Sequence, residues 1–273
     1  MPKVLDLSKL EKREEGHWYT LDGSPKHKVT SSKGEPRNTT LADARKLSLV
    51  PSVTTILKVV DKPQLAMWMK QQMARACIAN PYDGDMHYKL YAKALEDYVW
   101  AEVRKTADLG TYGHSALEKY FDGEPIPEEL QEIVQPVLAW KDHHQLKWLE
   151  TEVAMTNVEY GFGGCVDVIF TWGDGKGMGI LDYKFKDTIG EDGSPKKKIY
   201  RVDEYGMQLA AYAATYFGED KLADVRLANL IISTTEPGRI ELQKWEDPVG
   251  LFEAFKGALT IWKYKNKFDH PKA

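Results

Sequence analysis

The chain has 273 residues, of which 42% are hydrophobic and 29% charged, and its formal net charge is −4 at pH 7. This composition is ordinary for a globular protein and fits neither a disordered nor a collagen-like chain. The negative balance gives no general support for coating nucleic acid. No apolar run reaches the ~18 residues that a membrane helix needs, and the first residues lack the apolar segment of a secretory signal. We therefore expect a cytoplasmic protein with no membrane partner.

The two cysteines, Cys77 and Cys165, lie far apart in the sequence. They are too few for a disulfide framework, a four-cysteine zinc site or an iron–sulfur cluster. A metal ion in this protein must therefore be bound by oxygen ligands, to which one histidine can be added. Such ligands favour hard cations such as Mg²⁺ or Mn²⁺.

Residues 1–50 are polar and poor in aliphatic side chains, which predicts an N-terminal extension that is partly loop. A block of helices follows, because apolar positions recur at helical spacing. Ser52 is suited to cap the first helix and Pro63 to begin the second. The later helices of this block are predicted over 88–110, 111–121 and 127–149.

After residue 149 the apolar period changes from about 3.6 to 2, which is typical of strands. Three alternating segments joined by glycine-rich turns predict an antiparallel meander. The strand after the next helix can return parallel through that helix. The predicted strands cover 150–155, 163–172, 179–185, 224–234 and 239–245, and the helices cover 199–217 and 248–268.

This order predicts an α/β (α+β) fold in which helices flank a mixed central β-sheet. We predict one domain over 51–273. It combines a helical elaboration (51–148) with a core (149–273) in which the chemistry lies.

The segment Asp182-Tyr183-Lys184 falls on the third predicted strand. Residues two apart on a strand point to the same face, so Asp182 and Lys184 project together while Tyr183 faces the core. A carboxylate and an ammonium on one face can hold a metal ion and steady an attacking water. The alternative is an ordinary solvated strand face.

Asp167 is the only charge in the apolar run GGCVDVIF on the preceding strand. Burying an unpaired carboxylate is costly, and a bound cation would compensate it. A short turn joins this strand to the strand of Asp182, so the two carboxylates can converge. The pattern favours metal ligation at Asp167 and Asp182 over a salt bridge from Asp167 to a lysine or arginine.

Further candidates occur at helical spacing. His114 and Glu118 share one helix face, and Gln208 and Tyr212 share another. Glu152 lies on the first strand of the meander. Each candidate has a simpler interpretation. His114 could be a structural histidine, and Gln208 and Tyr212 could form the polar rim of a helix. Glu152 could be an exposed glutamate on a strand.

A basic run begins at the third strand and ends before the long helix that follows it. Six cationic residues lie within eighteen positions, although acidic neighbours dilute them. The alternatives are a nucleic-acid-binding loop and a solvated loop. The run consists of Lys184, Lys186, Lys196, Lys197, Lys198 and Arg201.

Four motifs occur in order: Gly-x-x-x-His-x-x-x-Glu, Gly-x-x-Asp, Asp-x-Lys and Gln-x-x-x-Tyr. Together they resemble the PD-(D/E)XK nucleases of the RecB-like type. The segment PSVTTIL at 51–57 also resembles the opening of phage-encoded exonucleases in this group. Because the chain lacks four cysteines for an iron–sulfur cluster, it is most similar to the cluster-free branch. That branch includes phage exonucleases and the mitochondrial genome maintenance exonuclease.

The resemblance covers about residues 51–213 and implies a restriction-endonuclease-like core. It implies a metal-dependent DNA exonuclease that hydrolyses phosphodiester bonds. A phage-encoded enzyme of this type would act in the host cytoplasm, in DNA replication, recombination or degradation. The candidate partners are single-stranded DNA or duplex ends, and a single-strand annealing or replication protein. The alternatives are a structure-specific endonuclease on the same core and a non-catalytic DNA-binding protein.

The resemblance also implies residue roles. The implied catalytic residues are Asp167, Asp182, Lys184, Gln208 and Tyr212. The implied ligands of Mg²⁺ or Mn²⁺ are His114, Asp167, Asp182 and the backbone carbonyl of Tyr183. Glu118 and Glu152 would lie next to these ligands without binding the metal themselves. Contacts to the DNA backbone are expected from Lys186, Lys196, Lys197, Lys198 and Arg201.

Overall fold

The computed structural model of the protein describes residues 17–172, 175, 177–190 and 192–269, with the backbone alone over 102–108. These residues form an α+β fold, as predicted. The helices are α1 (Leu41–Lys46), α2 (Val53–Ile56), α3 (Pro63–Ala79), α4 (Tyr88–Phe121), α5 (Gln131–His143), α6 (Asp203–Phe217) and α7 (Pro248–Asn266). The strands are β1 (Trp18–Tyr19), β2 (Lys28–Thr30), β3 (Pro36–Asn38), β4 (Val50–Pro51), β5 (Leu146–Asn157), β6 (Phe162–Trp172), β7 (Met178–Lys186), β8 (Arg226–Ser233) and β9 (Ile240–Trp245).

The central sheet has five strands in the order β5-β6-β7-β8-β9. β7 and β8 are parallel, and the other neighbouring strands are antiparallel. This confirms both the predicted meander and the parallel return after the long helix α6. Every residue of β8 from Leu227 to Ser233 is buried. Because strand side chains alternate, both faces of the sheet are covered at this strand.

The described residues divide into two compact units. The smaller unit covers 61–111, where α3 and the first part of α4 pack through Ala76, Leu95 and Val99. The larger unit combines 17–60 with 112–269 and contains the whole sheet and every candidate site residue. The single domain expected over 51–273 stays a prediction.

The N-terminal extension contributes to the core of the larger unit. β1 pairs with β4, and Trp18 is buried beside Trp262 of α7 and Phe268. Ser52 caps α2 through a hydrogen bond from the Thr55 N–H, as predicted. None of the helices among the described residues has both the length and the apolar character that a bilayer crossing requires.

Three predicted helix boundaries are wrong. Residues 88–110 and 111–121 form one helix, α4, because Gly113 lies inside it against the Phe185 ring instead of interrupting it. The helix predicted to reach residue 149 ends at His143, since Gln145 adopts a positive φ of 53° and turns the chain into β5. The helix predicted from residue 199 begins at Asp203.

Candidate metal centre

One set of three ligating side chains converges among the described residues: His114 of α4, Glu152 of β5 and Asp167 of β6. Their ligand atoms all lie within 4.8 Å of one another, and all three residues are half-buried. The Nδ1 of His114 is 3.3 Å from the Oδ2 of Asp167. Two carboxylates and an imidazole form a possible metal site, and oxygen-rich sets of this kind suit hard cations.

Strand register explains how Glu152 reaches this site. Thr151 pairs with Val168 and Val153 with Val166, so Glu152 lies opposite Asp167 on the neighbouring strand. Glu152 itself has a φ of +49°, in the left-handed region. That conformation costs a residue other than glycine ~1–2 kcal/mol, and such strain tends to cluster at functional sites.

Helix α4 reaches the sheet because Gly113 has no side chain. A Cβ at this position would overlap the ring of Phe185, so the glycine lets α4 lie close to β7. The His114 ring consequently contacts the rings of Tyr183 and Phe185, at centroid distances of 5.8 and 5.4 Å. These contacts orient the imidazole toward Asp167.

The electrostatics of the triad favour a cation. Burial raises the pKa of the Glu152 carboxyl, and the charges of Asp167 and Glu118 raise it further. Burial acts in the same direction on Asp167, but hydrogen bonding and the charge of His114 bring its pKa below the ordinary value. Two neighbouring carboxylates resist simultaneous ionisation unless a positive charge compensates them. A bound metal ion would supply that charge, so the three residues form a possible metal site.

The buried Asp182 and the half-buried Lys184 form an ion pair on β7, with 2.6 Å between the Nζ and Oδ2 atoms. Their projection on one face is as predicted, and Tyr183 between them is buried in the core. Burial raises the pKa of Asp182, against the effect of the ammonium. Burial alone would lower the pKa of Lys184, but the Asp182 and Asp167 carboxylates raise it above the ordinary value. Lys184 therefore stays an ammonium at neutral pH.

Among the described residues, one hydrogen bond connects the triad with the backbone between Asp182 and Lys184. The backbone N–H of Tyr183 donates to the Oδ2 of Asp167 at 2.7 Å. The pairing of β6 with β7 runs from Thr171 and Met178 to Val168 and Leu181, and it ends there. The Asp167 carboxylate thus replaces a backbone acceptor just beyond the last pair of the ladder.

The structure brings together only part of the predicted ligand set. His114 and Asp167 converge as expected, but the third member of the cluster is Glu152, which was expected to lie next to the ligands without binding the metal. Asp182 is paired with Lys184 instead, and its role as a ligand stays a prediction. Tyr183 contacts the triad in two ways: its N–H donates to Asp167, and its ring contacts the His114 ring. Its carbonyl as a metal ligand stays a prediction.

Gln208 and Tyr212 lie in α6, where both are buried. The Gln208 amide donates to the Tyr212 hydroxyl at 3.1 Å. A Cβ at Gly164 would overlap the Tyr212 ring, so this glycine of the Gly-x-x-Asp motif allows α6 to pack on β6. Burial raises the pKa of Tyr212, and the Asp182 charge contributes in the same direction. The Tyr212 hydroxyl is therefore close enough to Asp182 to be affected by its charge, and Gln208 is connected to it through the hydrogen bond to that hydroxyl.

The basic run connects β7 with α6, and its members differ in their surroundings. The Lys186 ammonium lies 4.7 Å from the centroid of the Tyr205 ring, which also accommodates Lys184 at 4.8 Å. Lys196 donates to the Asp187 carbonyl at 2.9 Å. Lys197, Lys198 and Arg201 are exposed, with the Arg201 guanidinium stacked 3.8 Å from the Trp245 ring centroid.

Three residues near the site were not identified from the sequence: Asn229, Trp245 and Tyr205. Asn229 could have been identified from the sequence, because it is the only amide in the apolar run of β8, just as Asp167 is the only charge in β6. Trp245 and Tyr205 carried no such signal, since an aromatic residue at a strand end or in a first helical turn is ordinary.

Comparison of the sequence with models of known protein families finds no match, and a search of curated proteins finds none. What the structure establishes is a mixed five-strand sheet flanked by helices, with a possible metal site of His114, Glu152 and Asp167 beside the Asp182–Lys184 ion pair.

Proposed function

We propose that the protein is a metal-dependent DNA exonuclease of the RecB-like PD-(D/E)XK type. The observation that carries this proposal is the hydrogen bond between the Asp167 carboxylate and the Tyr183 N–H. It joins a three-ligand cation site to an Asp-x-Lys pair on the adjacent strand. A cation site and a fixed ammonium in one place are the parts that phosphodiester hydrolysis requires.

Each residue of the site has a distinct role in the proposed reaction. His114, Glu152 and Asp167 would hold Mg²⁺ or Mn²⁺. The bound ion would lower the pKa of a coordinated water and offset the charge of the scissile phosphate. The Lys184 ammonium, held by Asp182, orients the water and stabilises the charge that develops on the phosphate. Asp182 is further proposed to contribute to binding the ion.

Activity on an end, rather than on internal bonds, rests on the resemblance of residues 51–57 to phage exonucleases. The test uses end-labelled linear DNA and a closed circular DNA, each incubated with Mg²⁺. We expect short products from the linear DNA and intact circles. Cut circles would identify an endonuclease on the same core, and bound but intact DNA of both forms would identify a non-catalytic binder.

We expect hydrolysis to require Mg²⁺ or Mn²⁺. Ca²⁺ should support DNA binding without turnover, because it prefers more ligands and longer, less rigid coordination than Mg²⁺. The measurement is the rate of product formation after chelation and after return of each metal. Restoration by Mg²⁺ is the control for irreversible damage. Undiminished hydrolysis after exhaustive chelation would show that the metal requirement is wrong.

We expect the lysines of the basic run to hold the DNA backbone without taking part in the chemistry. In the triple variant Lys196→Gln, Lys197→Gln, Lys198→Gln, each lost phosphate contact should lower the salt slope of binding by ~0.7–0.9. Lys197 and Lys198 should account for most of the change, because Lys196 already donates to the Asp187 carbonyl. Turnover at saturating DNA should change little.

The matched control for this variant is the pair Lys58→Gln, Lys265→Gln. Both lysines are exposed in the larger unit and neither contacts the candidate site. Binding is measured against salt for all three proteins. If the triple variant keeps both the slope and the affinity of the original protein, the basic run is an ordinary solvated loop.

A further inference from the structure

The buried side-chain amide of Asn229 contacts the Asp182 carboxylate. Asn229 of β8 is fully buried and pairs in register with Asp182 of β7. Its Nδ2 donates to the Oδ2 of Asp182 at 2.8 Å. Its Oδ1 accepts a hydrogen bond from the Nε1 of Trp245, also at 2.8 Å.

Chemistry allows only one orientation of this amide. An indole N–H can only donate a hydrogen bond, so the oxygen of Asn229 must face Trp245. An ionised carboxylate can only accept, so the nitrogen must face Asp182. Both partners thus select the same orientation, and a flipped amide would leave two buried groups unsatisfied.

Trp245 is itself fixed from two sides. On α6, a Cβ at Gly206 would lie 2.5–2.9 Å from atoms of the Trp245 ring. Glycine within a helix is destabilising relative to alanine, and the close approach of this ring accounts for its presence. From the basic run, the Arg201 guanidinium stacks over the ring at 3.8 Å.

We propose that Asn229 is a positioning residue, oriented by Trp245, that holds the Asp182 carboxylate against Lys184. The inference rests on the proposed nuclease function. The Asn229 amide and the Lys184 ammonium both reach the Oδ2 of Asp182. Two donors on one oxygen restrict the orientation of the carboxyl group, and within the described part of the chain Oδ1 is left for a ligand. Partners that orient site residues in this way typically contribute ~10–100-fold to activity or metal affinity.

The kinetic test compares three variants under conditions in which each is folded. Asn229→Ala should lower kcat ~10–100-fold with little change in KM for DNA. Trp245→Phe keeps an aromatic ring beneath Arg201 but removes the N–H, so it should lower kcat by less. Gln243→Ala is the matched control, because it removes a buried amide from the paired position of β9 without touching Asp182. It should leave kcat unchanged.

A second measurement does not depend on cleavage. In a double-mutant cycle of urea unfolding, Asn229→Ala and Asp182→Ala should be coupled by at least ~10-fold in the unfolding equilibrium constant, as expected for a hydrogen bond to a charged group. Coupling below ~2-fold would overturn the positioning role. So would a kcat for Asn229→Ala equal to that of Gln243→Ala. If the original protein cleaves no DNA, the proposed function fails, and the cycle still decides whether Asn229 holds Asp182.

Discussion

Replacing Asp167 by asparagine is expected to reduce the turnover of DNA by ~10³-fold or more. The side chain keeps its size and can still accept the Tyr183 N–H, but the negative charge is lost from the His114, Glu152 and Asp167 site. A bound metal supplies several kcal/mol of charge stabilisation, and each ~1.4 kcal/mol corresponds to a tenfold change in rate. The measurement is single-turnover cleavage at saturating metal.

Glu159→Gln provides the control for Asp167→Asn. Glu159 is exposed in the turn of the same β5–β6 hairpin, so the variant makes the same charge change outside the site. Its turnover should equal that of the original protein. Retention of most activity in Asp167→Asn at saturating metal would show that the cation site is assigned wrongly.

Glu152 and Asp182 compete for the role of third ligand, and the same assay separates them. The geometry places Glu152 with His114 and Asp167, whereas the family resemblance implies Asp182. We expect Glu152→Gln to raise the metal concentration needed for half-maximal activity. If only Asp182→Asn has that effect, Glu152 lies next to the ligands without binding the metal, as predicted from the sequence.

Asp167 could be identified from the sequence because a lone charge in an apolar strand is a local signal. Alternation likewise placed Asp182 and Lys184 on one face, which the structure confirms, and it shows in addition that the two side chains form an ion pair. The position of Glu152 could not be predicted, since it depends on a register irregularity between Trp148 and Glu150. Apolar periodicity records neither that irregularity nor the left-handed backbone of Glu152.

The contacts that hold Asp182 join residues far apart in the sequence, and the sequence pattern does not predict them. Asn229 meets Asp182 only because β8 returns parallel to β7 in one particular register. Trp245 reaches Asn229 from the edge strand β9, and Gly206 of α6 makes room for it. The pattern of apolar residues predicts which elements pack in the sheet, but it does not determine the register that brings these three side chains together.

Lys184→Met should abolish cleavage and also destabilise the protein by ~3–5 kcal/mol, the usual cost of breaking a buried ion pair by removing one partner. The variant leaves the Asp182 carboxylate with Asn229 as its remaining described donor. Lys186→Met is the matched control on the same strand. Its ammonium lies over the same Tyr205 ring but belongs to no described ion pair, so it should change stability by less than ~1 kcal/mol.

The double variant Lys184→Met, Asp182→Asn separates the two effects of Lys184. Removing the carboxylate charge should restore most of the stability lost in Lys184→Met, because no uncompensated charge stays buried. Cleavage should stay abolished.

The pKa of Asp182 is already raised by burial, so the loss of stability in Lys184→Met should grow as the pH rises above the ordinary aspartate value of 3.8. Urea unfolding at acid and neutral pH measures both effects. Equal stability of Lys184→Met and Lys186→Met at neutral pH would contradict a stabilising ion pair, and cleavage by the double variant would exclude Lys184 from the chemistry.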